Sequence, residues 1–145
     1  MDISRLDAQT VAQRLVVDLR TTEGDSLPVH VDVKYDPRDP YAVTCSFHLA
    51  GGPVLWTFGR DLLSEGLCEP TGDGDVHVWP CVNDQGYAVV SVELCSPHGD
   101  ALVEVRFADA VDFVDRMHAL VAPGDEHTNV DLDAAIRAIL DAEQA

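Results

Sequence analysis

The stretch that decides the fold class is Val-His-Val-Asp-Val-Lys-Tyr, at residues 29–35. Valine or tyrosine occupies every second position, and a polar side chain occupies each position between them. Because successive side chains of a β-strand point to opposite faces, this alternation predicts a strand with one buried face and one solvated face.

The same period of two continues on both sides of this stretch. A Gly-Gly turn at residues 51–52 joins two of the flanking segments as a hairpin. We therefore expect an antiparallel meander of four strands. Its other inward-facing residues are Val11, Leu15, Val17 and Leu19 before the stretch and Val43, Cys45, Phe47, Leu49, Val54, Trp56 and Phe58 after it.

The middle of the chain predicts a short helix followed by further strands. In residues 60–67, Leu62 and Leu63 stand between charged neighbours and Gly66 follows as a stop signal. Residues 70–75 have the composition of a turn. Alternation then returns three times, at residues 76–82, 87–95 and 101–108, which brings the total to about seven strands.

Helical periodicity is confined to the end of the chain, over residues 109–121 and 131–144. The second of these segments places Leu132, Ala135, Ile136, Ile139 and Leu140 on one stripe. Strands first and helices last predict a single α+β domain over residues 1–145, with residues 1–9 as a flexible lead-in. The predicted core is Val29, Val31, Val33, Phe47, Trp56, Phe58, Val90, Val92, Phe107, Phe113 and Ile136.

Composition excludes several classes of function. The 145 residues carry nine Lys and Arg against 26 Asp and Glu, a formal net charge of −17. Affinity for nucleic acid or for anionic membranes depends on clustered basic residues, so this balance argues against both. No apolar run is long enough to span a bilayer, and the N-terminal residues lack the apolar segment of a secretory signal. We expect a cytoplasmic protein.

The potential ligands and nucleophiles are scattered along the sequence. Four cysteines, Cys45, Cys68, Cys81 and Cys95, lack CxxC spacing, which predicts free thiols and no metal site. No two of the six histidines have HxxxH spacing, although three strand histidines (His30, His48 and His77) could still converge in space. We predict no catalytic, cofactor-binding or metal-binding residues and no cofactor.

Two local motifs resemble functional ones and are better explained as turns. Asp73-Gly74-Asp75 resembles part of a calcium loop but lacks the further oxygen ligands and the closing glutamate. Ser96-Pro97-His98 places a hydroxyl near an imidazole without the G-x-S-x-G elbow. Neither motif predicts an enzyme.

Contact surfaces are weakly indicated. Trp56 shares the apolar phase of its strand and is expected in the core, whereas Trp79 lies on the opposite phase and is the better candidate for a contact surface. Residues 109–145 hold nine acidic residues against Arg116 and Arg137. This charge is explained either by a solvated helix face or by a partner with a basic patch. The partner surface stays unknown at this level.

Three motifs carry a resemblance to a known family. Asp39-Pro40-Tyr41-Ala42-Val43, Arg60-Asp61-Leu62-Leu63 with Gly66, and residues 72–80 with Trp79-Pro80 resemble the SsgA-like family of actinobacterial sporulation and cell-division proteins. The resemblance extends over residues 11–141, and the SsgB-like branch is the most similar.

This resemblance implies a non-enzymatic regulator of sporulation-specific cell division. The implied role is septum-site selection through recruitment or control of the tubulin-like ring protein FtsZ, with FtsZ and other SsgA-like proteins as partners. It also implies a Whirly-like fold, a homotrimer and concentration at the division septum. The alternative is a regulator of Whirly type that binds single-stranded nucleic acid, and a small-ligand enzyme with an unseen site ranks third.

Overall fold

A computed structural model describes residues 10–21, 24–129 and 132–144. The predicted lead-in at residues 1–9 lies outside the described residues. Eight strands form one sheet in which every neighbouring pair is antiparallel. They are β1 (Val11–Arg20), β2 (Ser26–Tyr35), β3 (Ala42–Leu49), β4 (Gly52–Gly59), β5 (Thr71–Asp73), β6 (Val76–Val82), β7 (Ala88–Ser96) and β8 (Gly99–Arg106).

The sheet consists of two four-stranded meanders that meet at their inner strands. Its order is β4-β3-β2-β1-β8-β7-β6-β5. Strands β1 and β2 pair along their whole length, whereas β1 and β8 share only three register pairs, from Asp18↔Glu104 to Arg20↔Leu102. An ion pair reinforces this short junction, because Arg20 Nε lies 2.7 Å from Glu104 Oε1.

The first meander confirms the predicted alternation. Val29, Val31, Val33 and Tyr35 are buried, while His30 and Lys34 between them are exposed. Strands β3 and β4 form the predicted hairpin, whose register begins with Leu49↔Gly52. The outermost strand, β4, is less covered than predicted: Trp56 and Phe58 are partly buried, and Val54 is exposed. An edge strand has a neighbour on one side only, which leaves its side chains less protected.

The second meander contains one more strand than predicted. Residues 71–73, expected within a turn, pair with β6 as strand β5. The turn itself is limited to the connection between β5 and β6, where Gly74 has a φ of 58°. The prediction of about seven strands was therefore wrong by one, because three residues are too few to show alternation in sequence.

A short helix, α1 (Arg60–Gly66), connects the two meanders as predicted. Leu62 and Leu63 are buried on its inner side. Gly66 does more than end the helix, since a Cβ atom there would lie 2.3 Å from Cγ1 of Val78 on β6. The absence of a side chain allows α1 to pack directly on the second meander.

The long helix α2 (Phe107–Leu120) packs on the sheet around the junction of the two meanders. Its buried residues are Ala110, Phe113, Val114 and Met117, which have the predicted helical spacing. Phe107 was expected to end a strand; instead it is the first residue of α2 and is partly buried against the core. Strand β8 ends one residue earlier, at Arg106.

The last helix, α3 (Leu132–Gln144), follows a 3₁₀ helix, Glu126–Asn129. The predicted burial of Ile136 is wrong, because 54% of this residue is exposed. Ile139 and Leu140 are exposed as well. An amphipathic pattern predicts that a helix has an apolar face, but it does not show that the same chain covers that face.

We expect Val31→Asp to unfold the protein. Val31 is 2% exposed in the centre of the first meander, and an unpaired carboxylate there has no charge partner. His30→Asp, on the exposed face of the same strand, is the matched control and should retain the fold. Thermal unfolding followed by circular dichroism tests this. A Val31→Asp protein that melts like wild type would show that the inner face of β2 is misassigned.

Candidate protein-interaction surface

The exposed stripe of α3 is the clearest candidate for a contact surface. We call Ile136, Ile139 and Leu140 the α3 stripe; they are 54%, 60% and 49% exposed, respectively. Their spacing of three and four residues places them on one side of the helix. Adjacent exposed aliphatic side chains on a polar protein are typical of interaction surfaces.

A buried arginine holds the 3₁₀ helix that precedes α3 in the sequence. Arg60, at the start of α1, is 1% exposed. Its Nη1 donates a hydrogen bond to the Tyr35 hydroxyl at 2.9 Å, and its Nη2 lies 3.1 Å from Glu126 Oε1. The second contact is an ion pair without hydrogen-bond alignment, and Arg60 Nε has no hydrogen-bond partner among the described residues. Arg60 thereby connects β2, α1 and the 3₁₀ helix.

The electrostatics of this cluster favour an ionised Glu126. Its own backbone N–H, the Arg60 guanidinium and the backbone N–H of Gly124 hold the pKa of Glu126 below its usual range, against the opposing effect of burial. His118 of α2 lies near the same charges. Burial and the repulsion from Arg60 lower the pKa of His118, which favours its neutral form.

Of the three strand histidines predicted to be able to converge, only two lie next to each other. His30 and His48 lie directly opposite each other on β2 and β3, whereas His77 is on β6 in the other meander. His48 Nε2 lies 2.7 Å from Asp32 Oδ2, and Arg14 bonds the same carboxylate from β1. The hydrogen bonds from Arg14 and His48 lower the pKa of Asp32. This exposed network is a solvated polar surface.

The cysteines occupy different environments, and all four thiols are free. Cys45 is buried in the first meander, and burial raises the pKa of its thiol to about 12, which leaves it unreactive. Cys68 and Cys81 are exposed. Cys95 is half-buried on β7, where burial together with Asp100 and Glu93 raises the pKa of its thiol.

Sequence spacing missed one cluster of side chains. His77 of β6 and Glu93 of β7 are register partners, and Cys95 follows on the same face of β7. Their ligand atoms lie within 4.8 Å of one another. His77 is on a different strand from Glu93 and Cys95 and distant from them in sequence, so only knowledge of the β6–β7 register could have revealed the cluster.

The motifs interpreted as turns are turns. Asp73 is the last residue of β5, and Gly74 and Asp75 form the turn into β6. The Ser96 hydroxyl donates to the carbonyl oxygen of Gly99 at 2.8 Å and accepts from the backbone N–H of His98 at 3.2 Å. These bonds close the β7–β8 turn and leave the hydroxyl without an imidazole partner.

The described residues show no assembled nucleophile and base. Within residues 10–21, 24–129 and 132–144, no hydrogen bond joins a serine, threonine or cysteine side chain to a histidine ring. Trp79, predicted as a contact residue, is partly buried and lines a shallow groove beside His77. In the described part of the chain, no helix has both the length and the apolar character needed to cross a bilayer.

Comparison with known proteins identifies the family. Residues 29–126 match the family described as Streptomyces sporulation and cell division protein, SsgA. The chain belongs to the SsgA family. Among its relatives, the sporulation-specific cell division protein SsgB of Streptomyces coelicolor is 46% identical over 132 residues, which cover 90% of this chain and 96% of that protein. SsgB of Saccharopolyspora erythraea is 41% identical over 137 residues, 94% of this chain and 96% of that protein.

Solved structures of the SsgA family share the fold. One comes from work on mutations in SsgB that correlate to longitudinal cell division during sporulation of Streptomyces coelicolor. It is 45% identical with a TM-score of 0.77, covering 83% of this chain and 94% of that one. The SsgA-like sporulation-specific cell division protein from Thermobifida fusca is 32% identical with a TM-score of 0.79, covering 89% and 94%. The predicted SsgA-like family and the α+β class with a mostly antiparallel sheet are confirmed.

Arg60→Met in this SsgA-family protein should lower the free energy of unfolding by about 3 kcal/mol or more. Removing one partner of a buried ion pair leaves the other charge uncompensated. Arg14→Met is the matched control, because Arg14 pairs with Asp32 at the exposed surface and such pairs contribute little. Chemical denaturation measures both. Equal effects of the two substitutions would contradict the structural role of Arg60.

The ionisation of Glu126 should make the stability of the folded protein depend on pH. Because the pKa of Glu126 is lowered in the folded state, its ionised form stabilises the protein above the unfolded pKa of about 4.3. That contribution is lost as the pH falls through the folded-state pKa. We expect wild type to be more stable than Glu126→Gln near neutral pH, with the difference shrinking below about pH 4. Denaturation of both proteins over this range tests it; a constant difference would contradict it.

Proposed function

We propose that this protein is a non-enzymatic regulator of sporulation-specific cell division that acts through protein contacts in septum-site selection. The similarity to SsgB over 90% of the chain supports this role. FtsZ and other SsgA-like proteins are the proposed partners, and the cytoplasm at the division septum is the proposed location. The proposed unit of function is the whole chain as one domain.

The α3 stripe is the surface that we propose contacts the partner, and its exposure is the main observation behind the proposal. Every residue from Ile136 to Ala142 is exposed, so the apolar side of the helix is available to a partner. The same helix carries Asp141 and follows an acidic stretch of sequence. A partner surface with apolar side chains and a basic rim complements this combination.

A symmetric homo-oligomer, most favourably a trimer with a Whirly-like arrangement, is part of the proposal. Homo-oligomers usually close with point symmetry, so a trimer presents the partner-binding surface three times. A polymer such as FtsZ offers many equivalent sites. Repeated weak contacts then gain through effective concentration, and a modest affinity at each site suffices for localisation.

Ion pairing within the chain argues against the nucleic-acid alternative. Arg14, Arg20, Arg38 and Arg60 each lie within 3.3 Å of a carboxylate of the same chain. Guanidinium groups neutralised in this way are less available to phosphates, and the net charge of −17 repels a polyanion. The surface therefore favours a protein partner over single-stranded DNA or RNA.

The proposed function is tested by localisation and by binding. A fluorescent fusion expressed in a sporulating actinomycete should form bands at future septa, and light scattering of the purified protein should give an oligomer. Co-sedimentation with FtsZ polymers should be reduced for Ile139→Ser and unchanged for Ala138→Ser. Ala138 is exposed on the same helix but lies outside the α3 stripe.

Two outcomes would overturn the proposal. A diffuse monomeric protein, with septation unaffected by loss of its gene, would exclude the role in division. Micromolar binding of a single-stranded oligonucleotide with a steep dependence on salt would favour the Whirly-type alternative instead.

A further inference from the structure

The outer face of the second meander carries a cluster that the proposed function does not use. Strands β6 and β7 place His77 directly opposite Glu93, and Cys95 follows Glu93 two residues later on the same face. Asp100 of β8 is the register partner of Cys95, and its negative charge contributes to the raised pKa of the Cys95 thiol. An imidazole, a thiol and a carboxylate thus meet on adjacent strands, with a second carboxylate beside them.

The distances in this cluster match the coordination shell of a small cation. His77 Nδ1 lies 3.5 Å from Glu93 Oε1, and Cys95 Sγ lies 3.7 Å from the same oxygen. In a tetrahedral zinc site with ordinary Zn–N, Zn–O and Zn–S bonds, neighbouring ligand atoms are about 3.3–3.6 Å apart. All three ligand atoms lie within 4.8 Å of one another, so the cluster has nearly the dimensions of a site for one ion.

Gly72 determines where the imidazole lies. Gly72 on β5 is the register partner of His77, and a Cβ atom there would lie 2.4 Å from His77 Cδ2. The ring occupies the space that a side chain at position 72 would fill. Both residues, with Glu93 and Trp79, line a shallow groove of about 400 Å³ that is open to solvent. A cation can reach His77 and Glu93 from this side.

We propose that His77, Glu93 and Cys95 bind one divalent cation of the zinc class. A donor set of sulfur, imidazole nitrogen and carboxylate oxygen suits zinc and similar transition metals, whereas magnesium and calcium prefer oxygen ligands alone. On binding, the Cys95 thiol releases its proton to water and the thiolate coordinates the metal. Water, Asp100 or a group from a second molecule completes the shell.

This proposal departs from the prediction made from ligand spacing. Motifs such as CxxC or HxxxH place ligands on one local element. Here the pairing of β6 with β7 brings together positions 77, 93 and 95, which no short motif connects. The proposal is also independent of the proposed role in division, because it concerns a different surface from the α3 stripe.

The test is titration of the tag-free, metal-free full-length protein with Zn²⁺, followed by calorimetry. We expect wild type to bind one equivalent with micromolar or tighter affinity. Cys95→Ser and His77→Gln should each bind at least tenfold more weakly. Cys68→Ser and His30→Gln are matched controls, because they remove an exposed thiol and an exposed strand imidazole elsewhere, and both should bind like wild type.

A second metal and a fifth variant distinguish coordination from non-specific adsorption. Co²⁺ should produce a sulfur-to-cobalt charge-transfer band in wild type that is absent in Cys95→Ser. Gly72→Ala retains every donor but displaces the His77 ring, so it should weaken Zn²⁺ binding by a smaller factor than His77→Gln. Thermal unfolding of each metal-free variant confirms that the fold is retained.

Three results would each overturn the proposal. Absence of Zn²⁺ binding by folded wild type at micromolar concentrations would exclude the site. Equal affinity of wild type, Cys95→Ser and His77→Gln would place the metal elsewhere. A cobalt band that persists in Cys95→Ser and disappears in Cys68→Ser would show that Cys68, not Cys95, supplies the thiolate.

Discussion

The guanidinium of Arg60 has to be compensated inside the protein, and this requirement connects segments that are far apart in sequence. Burial of a charge is costly unless opposite charge and hydrogen-bond acceptors surround it. Tyr35 from β2 and Glu126 from the 3₁₀ helix supply these partners, and the Tyr35 hydroxyl in turn donates to the carbonyl oxygen of Pro40. The 3₁₀ helix is therefore held to the first meander and to α1 at one point.

The rest of the fold is arranged around the short β1–β8 junction. Only three register pairs join the two meanders there, but Arg20 and Glu104 bridge the strands and α2 packs across them. Phe113 and Met117 of α2 are almost completely buried. The apolar core is therefore continuous across both meanders.

The alternation of residues 29–35 was sufficient to assign the inner face of β2, and helical spacing was sufficient for Ala110, Phe113, Val114 and Met117. Both patterns report local geometry, which is why they were confirmed. Strand β5 and the start of α2 at Phe107 could not be predicted in the same way. A three-residue strand has no visible period, and a boundary depends on which hydrogen-bond partners the tertiary structure offers.

The sequence by itself determined the α+β class, the strand faces and the acidic charge, because each follows from residue type and short-range spacing. Its motifs also carried the resemblance to the SsgA-like family. Only the tertiary structure decided what covers each apolar face and which polar groups meet. Ile136 has the spacing of a buried residue and lies exposed on α3. His77, Glu93 and Cys95 share no sequence motif and meet through strand register. Side-chain proximity across a sheet depends on the pairing of distant strands, and local sequence does not encode that pairing.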